Sequence, residues 1–445
     1  MMSEKINQKV ITRFAPSPTG LPHLGTAMYA LLNYIYARQN GGEVIMRSED
    51  TDPARSKREF EEAIIEGLAW LGIRADKTYR QSERTEIYKK YIAKMISDGT
   101  AYLSRETNEE GKIRDLVRFK NPNKVVTFHD MSRGDISVDT TDLKDFIIAR
   151  DINSPLYHLT VVVDDHETRV THVIRGEDGL ANTPRQILIQ EAIGATRPVY
   201  AHYPFVLMPN RMKMGKRNGA VSLQNYRKAG YLPEAIVNFV ILLVWHPKDD
   251  RELFTLQDLI QEFQLERIGK GGAILDEKKL DWINREYIKK MPVDERNRNI
   301  AEWLEKLGYK NINEKIFDIV FDRISKWSDI EKMEWEGELD YYFTPPAIDA
   351  EKLVWKDSNA EETKKHLEKV KEILEKAESC SELGSATGIK SLIFDYATEN
   401  GKGQVLWPIR VALSGREKSP DPFTLIYILG KNESMARLKS AMEKL

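Results

Sequence analysis

Cysteine is almost absent from this sequence. Cys380 is the only one in 445 residues, so no intrachain disulfide and no cysteine-based zinc site can form. A lone thiol fits a reducing compartment, and we expect a cytoplasmic protein. Long apolar runs are lacking too. The longest, Ala235 to Trp245, falls well short of the ~20 residues that span a bilayer, so no membrane association is expected. The opening MMSEKINQKV holds no apolar segment of signal-peptide length. Charge of one sign is not in excess either: 67 basic against 69 acidic side chains leave a net charge of −2. That excludes a histone-like polycation, and any nucleic-acid binding must come from charges sorted onto faces. Internal repeats, low-complexity tracts, a Walker loop and the dinucleotide glycine fingerprint are all missing.

What is present is an ordinary globular composition, 41% apolar and 31% charged, long enough for two or three domains. The first part alternates strand and helix signals. KVITRFA reads as a strand, AMYALLNYIYARQ as a helix stopped by Gly41 and Gly42, and GEVIMRSED as a second strand. REFEEAIIEGLAWLGI reads as a helix with Ser56 as its N-cap, and ERTEIYKKYIAKMISDGTA as another. Residues 102–150 mix short β-like pieces with turns and look like an insertion. The α/β pattern then resumes: LYHLTVVVDD, THVIRGED and VYAHYPFVLMP read as strands, and Thr183–Pro184 opens a helix with Thr as N-cap and Pro at its first position. LPEAIVNFVILLVW is a strongly apolar helix. Helical patterns dominate from Pro292 onward; Leu367, Val370, Ile373 and Leu374 share one face.

Two stretches carry chemistry. In RFAPSPTGLPHLGTA the prolines and Gly20 break the chain after the first strand, placing His23, Gly25 and Thr26 at the N-terminal end of the next helix. That is where ligands bind in an open α/β sheet, and a helix N-terminus suits phosphate. KMGKRNG, from Lys213 to Gly219, is a cationic loop able to fold over a polyphosphate. Each stretch alone has an ordinary alternative, a Pro-rich turn or a solvated basic turn. Together they can converge on one triphosphate.

These residues resemble a known family. RFAPSPTG with PHLG is similar to the first signature of class I aminoacyl-tRNA synthetases, and KMGKR to the second. RFAPSPTG, RSEDTDPAR, QSER, YHLTVVVDDH, THVIRGED, NTPRQ, YLPEA and KLDWINREYI, in that order, resemble bacterial-type glutamyl-tRNA synthetases. GQVLWPIRVALSGREKSPDPF resembles their anticodon-binding region.

The resemblance implies an α/β fold: a Rossmann-like parallel-sheet catalytic domain split by an inserted acceptor-stem-binding module, then an all-α C-terminal anticodon-binding half. We expect the catalytic domain over 1–90 and 158–204, the insert over 91–157, a stem-contact and junction region with the lysine loop over 205–291, and the helical half over 292–445, with a break near 350. The implied reaction activates glutamate with ATP and Mg2+ and transfers it to the terminal adenosine of tRNA(Glu); tRNA(Gln) stays open as a second acceptor. Relatives of this type suggest a monomer.

The implied roles follow residue by residue. His23 would donate to the α-phosphate, Gly25 would let adenosine lie against backbone, and Lys213 and Lys216 would hold the departing pyrophosphate. Thr26, Met214, Gly215 and Arg217 join the ATP site, with Asp178 near the ribose and Val206 meeting adenine through its backbone. Arg13 and Arg175 would hold the carboxylates of glutamate and Glu49 its ammonium, with Tyr157, Ala15 and Ser17 completing the pocket. The ordinary alternative for Arg175 is a salt bridge to Glu177 or Asp178, and for Glu49 a capping role in SEDTD. We read Asp164, Asp165 and His166 in VVVDDH as a strand-end turn, because strand neighbours point to opposite faces and cannot share one ion. Trp407, Arg410, Arg416 and Lys418 are candidate RNA contacts, although Trp407 has a core residue's setting.

Three departures from the family pattern stand out. Gly215 replaces the usual serine of the second signature, and we expect slower adenylate formation. Thr26 stands at the second histidine of the first signature, where this family often has a small residue. The insert has no cysteine, so no structural zinc is expected and no metal ligand is assigned. Three rivals fit less well. An adenylyltransferase needs no long helical tail, and a truncated relative that modifies a tRNA base lacks the anticodon half. A non-catalytic tRNA-binding paralogue has no reason to keep both lysines, His23 and Arg175.

Overall fold

A computed structural model describes residues 9–52, 54–107, 113–213, 221–356, 358–377 and 380–445. It divides into two units, one running to Tyr287 and the other spanning Ile288–Leu445. Met214, Gly215, Lys216 and Arg217 lie outside the described residues.

The first unit is built on a seven-stranded sheet. In chain order its described elements begin β1 (Ile11–Phe14), α1 (Leu24–Gln39), β2 (Glu43–Ser48), α2 (Arg58–Trp70), β3 (Lys77–Arg80) and α3 (Thr85–Ser97). Next come β4 (Ala101–Thr107), β5 (Ile113–Phe119), β6 (Val125–Asp130), β7 (Gly134–Asp139) and β8 (Phe146–Ala149). The series ends with α4 (Tyr157–Glu167), β9 (His172–Gly176), α5 (Thr183–Ile193), β10 (Val199–Tyr203), β11 (Val206–Leu207), α6 (Leu223–Lys228), α7 (Pro233–Leu242) and β12 (Ala273–Ile274). The main sheet has the order β3-β2-β1-β9-β10-β6-β7, parallel except for the terminal β6–β7 hairpin.

The order reverses between β1 and β9. From β1 the chain steps outward through α1 to β2 and through α2 to β3; from β9 it steps the other way through α5 to β10. Right-handed crossovers running in opposite directions must cover opposite faces. Accordingly Leu31, Ile35, Ile64 and Leu68 of α1 and α2 pack with Phe14 and Met46 on one face. Tyr88, Ile92, Leu159, Val163, Ile187 and Leu188 of α3, α4 and α5 pack with Val173 and Tyr200 on the other. This doubly wound arrangement leaves a crevice beyond the carboxyl ends of β1 and β9.

The stretch between α3 and α4 is shared. β4, β5 and β8 form a separate antiparallel sheet, while β6 pairs parallel with β10 at Tyr200↔Asp130, so the hairpin extends the main sheet. The second unit is helical throughout its described residues, from Val293–Lys306 to Lys431–Met442. Helix Ala360–Lys376 buries Leu367, Val370 and Leu374 against Ile393, Ile409, Leu425 and Leu438; Ile373 is half-buried at the edge of that stripe.

Several local expectations are corrected. LYHLTVVVDD is helix α4, not a strand. Leu159 to Asp165 are all buried, so the segment shows no polar face, and a helix enclosed on all sides reads like a buried strand. Asp164 and Asp165 are therefore in a buried helix rather than a strand-end turn. The N-cap of α2 is Lys57, with no side-chain cap, and Ser56 does not cap. Helix α5 begins one residue early: Asn182 is the cap position and Thr183 is already helical, its hydroxyl spent elsewhere. VYAHYPFVLMP is two strands, because Pro204 interrupts the ladder and β11 leaves to pair with β12. The short strand β3 carries no strand signal of its own in the sequence.

Candidate active site

The crevice holds a cavity of about 330 Å³. It is lined by Arg13 and Phe14 from the end of β1, Ala15 and Ser17 from the Pro-rich turn, and His23, Gly25 and Thr26 from the start of α1. Glu49 comes from just beyond β2, Tyr157 from the first residue of α4, Arg175 from β9 and Asp178 from the turn after it. Ten of the residues named in the sequence thus meet in one space, together with Tyr29 and Tyr203, which the sequence did not single out.

Arg13 and Glu49 belong to a buried ionic lattice behind the cavity. Arg13 Nε donates to both oxygens of Asp165 at 3.3 Å, and its Nη1 donates to the Tyr29 hydroxyl at 3.0 Å. Arg47, fully buried, donates from Nη1 to Asp165 Oδ1 and from Nη2 to Glu49 Oε1 at 3.2 Å. The neighbouring Asp164 accepts from Gln81, Arg84 and Tyr88. Burial works most strongly against the charge on Arg13, but Asp165 together with Tyr29 and Tyr157 outweighs it, and the guanidinium is held above its ordinary pKa. Burial likewise opposes the charge on Asp165, yet Arg13 and Arg47 bring its carboxyl below its usual value. Glu49 goes the other way: burial pushes its carboxyl up, and Arg47 and Arg13 only partly restrain it. A cation arriving in the cavity would stabilise its charged form. Its capping alternative is not seen: Asp52 accepts the local turn bond from Ala54 N, and Asp50 accepts from the backbone N–H and hydroxyl of Ser82, just after β3.

Arg175 differs from Arg13. It is 6% exposed, yet among the described residues no carboxylate pairs with it. The alternative partners are taken: Glu177 pairs with Arg133, and Asp178 with Lys213. Nε of Arg175 donates to His202 Nε2 at 3.0 Å, and Nη2 donates to the Gly179 carbonyl at 3.0 Å and to Thr183 Oγ1 at 2.9 Å. Nη1 has no hydrogen-bond partner among the described residues. A buried guanidinium without a counter-ion is costly unless a ligand supplies the missing charge.

At the opposite end of the cavity His23 is the N-cap of α1. Its Nδ1 accepts from Gly25 N at 3.1 Å, and its backbone N–H reaches Thr26 Oγ1 at 3.3 Å, a reciprocal capping box. A ring nitrogen that accepts an N–H carries no proton, so in the neutral ring Nε2 is the donor. Lys213 reaches Asp178 Oδ2 at 3.3 Å and lies 3.8 Å above the Phe205 ring, which places Lys213 at the cavity rim. Val206 does not line the cavity; it is buried in β11, paired with Ala273 of β12.

In the helical unit Trp407 donates from Nε1 to the Lys352 carbonyl and packs 4.9 Å from Trp355, so it is a packing residue. Arg410, on the same helix, has its Nε buried without a partner among the described residues. Arg416 and Lys418 line a separate cavity of about 790 Å³ with Asp340, Tyr341 and Pro346. Sequence reasoning missed Arg47, Asp130, Thr183 and His202, and it dismissed Asp165. RSED and DDH were the only local signals; nothing in HYPF marks His202 as a partner of Arg175. Among the described residues no group of three or more His, Cys, Asp or Glu could hold a metal ion, and no helix is long and apolar enough to cross a membrane.

Comparison with known proteins follows the same division. Residues 9–115 and 110–282 match the family model for the catalytic domain of class I tRNA synthetases (E and Q), and residues 277–442 match an anticodon-binding domain. The chain is 37% identical to glutamate–tRNA ligase 1 of Caldanaerobacter subterraneus subsp. tengcongensis, covering 100% of this chain and 98% of that protein. It is 38% identical to the glutamate–tRNA ligase of Aquifex aeolicus, over 98% and 99%. Among solved structures, a glutamate tRNA ligase from Elizabethkingia meningosepticum, crystallised with its amino acid, superposes with a TM-score of 0.87. It shares 30% identity and covers 98% of this chain and 99% of that one.

Proposed function

Because the chain belongs to the glutamate–tRNA ligases of the class I aminoacyl-tRNA synthetase family, we propose that the cavity between β1 and β9 joins glutamate to ATP and hands it to tRNA(Glu). The observation that carries this reading is Arg175: a buried guanidinium, open at Nη1 and lacking a carboxylate partner, in the wall of the same cavity as His23.

Glutamate needs two cationic contacts and one anionic one. Arg175 Nη1 and Arg13 meet its carboxylates, and Glu49 meets its ammonium. Tyr157, Ser17 and the backbone at Ala15 close the pocket around them. The α-carboxylate then attacks the α-phosphorus of ATP, pyrophosphate departs and glutamyl-adenylate remains. His23 Nε2–H donates to the α-phosphate oxygens as charge grows there, aided by the N–H groups at the start of α1. Gly25 and Thr26 border the adenosine and Asp178 the ribose; Val206, outside this cavity, would meet the adenine only through its backbone. Lys213 and Lys216, with Met214, Gly215 and Arg217 in the same loop, hold the pyrophosphate, and Mg2+ enters with the nucleotide. A ribose hydroxyl of the terminal adenosine of tRNA next attacks the acyl carbon and releases AMP. No covalent enzyme nucleophile is required; catalysis is positioning and stabilisation of phosphoryl charge.

The remaining assignments follow the same reading: residues 91–157 hold the acceptor end, residues 292–445 hold the anticodon through side chains such as Arg410, Arg416 and Lys418, and the protein works as a cytoplasmic monomer. The test is aminoacylation with glutamate, ATP and purified tRNA(Glu), with tRNA(Gln) in a parallel reaction. Charged tRNA(Glu) is expected, and its absence refutes the reading. The tRNA(Gln) reaction decides whether that RNA is a second acceptor.

A further inference from the structure

We propose that His202 and Asp130 form a positioning relay that aims Arg175 at the glutamate carboxylate. The proposal rests on Arg175 acting as a carboxylate clamp. Arg175 is a long side chain with no ion-pair partner among the described residues to fix its direction, and its open Nη1 is useful only if the guanidinium plane is fixed. Three contacts define that plane: His202 on Nε, with the Gly179 carbonyl and Thr183 Oγ1 on Nη2. A guanidinium bonded along Nε and Nη2 presents Nη1 on its remaining edge.

His202 can serve only in one tautomer. Nε2 must accept from Arg175 Nε, so the ring proton must sit on Nδ1. Asp130 enforces this: its Oδ2 lies 2.6 Å from His202 Nδ1, and both side chains are fully buried. Asp130 is itself fixed, its Oδ1 accepting from the Ser132 hydroxyl and from the backbone N–H groups of Ser132 and Arg133. Burial and the nearby Arg175 press the ring toward its neutral form, against the pull of Asp130. Asp130 ends β6, the strand of the residue 102–150 stretch that pairs with β10, and His202 lies on β10. The stretch that resembles an insertion thus supplies the anchor of an amino-acid contact more than a hundred residues away from Arg13 in sequence.

The test uses three variants of the full-length protein in ATP–pyrophosphate exchange with tRNA present, titrating glutamate and ATP separately. His202→Asn keeps a donor for Asp130 but has no atom that reaches Arg175. His202→Gln keeps an acceptor for Arg175 and loses the donor. The expected result is a rise of about tenfold in the glutamate KM for His202→Asn, in line with losing a hydrogen bond to a charged group. A smaller rise is expected for His202→Gln, and the ATP KM stays within about twofold in both. Equal effects of Asn and Gln, or a rise in both KM values together, overturn the relay and leave His202 a packing residue. Should His202→Asn fail to fold, Asp130→Asn replaces it. Its amide donates to Nδ1 and drives the proton to Nε2, so the same selective rise is expected, and an unchanged glutamate KM refutes the relay. Arg175→Lys separates the two layers: if it leaves the glutamate KM unmoved, the clamp itself is wrong, whereas a rise there with no rise in His202→Asn defeats the relay alone.

Discussion

Replacing Asp165 by asparagine tests the ionic lattice directly. Asp165 is the shared counter-ion of Arg13 and Arg47, both of them buried. Asparagine keeps the shape. Its oxygen can serve one arginine, but its NH2 then faces the other donor; Arg47 keeps Glu49, whereas the buried Arg13 guanidinium is left without a carboxylate partner among the described residues. Breaking a buried pair in this way costs about 3–5 kcal/mol. At roughly 2–4 °C per kcal/mol for a unit of this size, the midpoint of the catalytic unit should fall by about 10 °C in a calorimetric or circular-dichroism melt. Arg13 loses its carboxylate anchor at the same time, so the glutamate KM should rise while the ATP KM changes little. The pH dependence has a definite sign. The folded-state pKa of Asp165 lies below its unfolded value of about 3.9, so the stabilisation is complete above that value and is lost as pH falls through the folded pKa. The gap between wild type and variant should therefore be flat from about pH 6 to pH 8 and close only in strong acid. A variant that melts with wild type and binds glutamate normally would refute the lattice as a support for the pocket.

Three further outcomes are expected. Gly179→Ala would put a Cβ 2.3 Å from Arg175 Nε, so the guanidinium must swing away; glutamate titration should show a KM raised about tenfold, and an unaltered KM would mean that the contact relaxes without moving Arg175. His23→Asn should preserve much of the helix cap but remove the Nε2 donor, lowering the rate of ATP–pyrophosphate exchange by roughly a hundredfold at saturating substrates; a loss confined to the glutamate KM would count against its place at the α-phosphate. Gly215→Ser restores the hydroxyl usual in the second signature and should speed pyrophosphate release in a single-turnover assay, whereas no change or a slower rate would show that Gly215 is not limiting.

Much of this organisation is written locally. RFAPSPTG followed by PHLGT states a strand, a break and a helix start in consecutive residues, because proline, glycine and a capping side chain act on their immediate neighbours. That is why the sequence alone places His23, Gly25 and Thr26 at a helix N-terminus. The α/β alternation and the helical second half are legible for the same reason. What the tertiary structure alone decided is which charges meet. YHLTVVVDD looks like a strand because its β-branched residues are apolar all round, and only packing between α3, α5 and the sheet makes it a helix. Once it is a helix, Asp164 turns toward Arg84 and Asp165 toward Arg13 and Arg47, partners 80, 152 and 118 residues distant. The relay from Asp130 through His202 to Arg175 is equally invisible in sequence. Periodicity reports which face of an element is apolar, but the pairing of buried charges depends on which strands lie side by side, and that is fixed only when the whole sheet has closed around them.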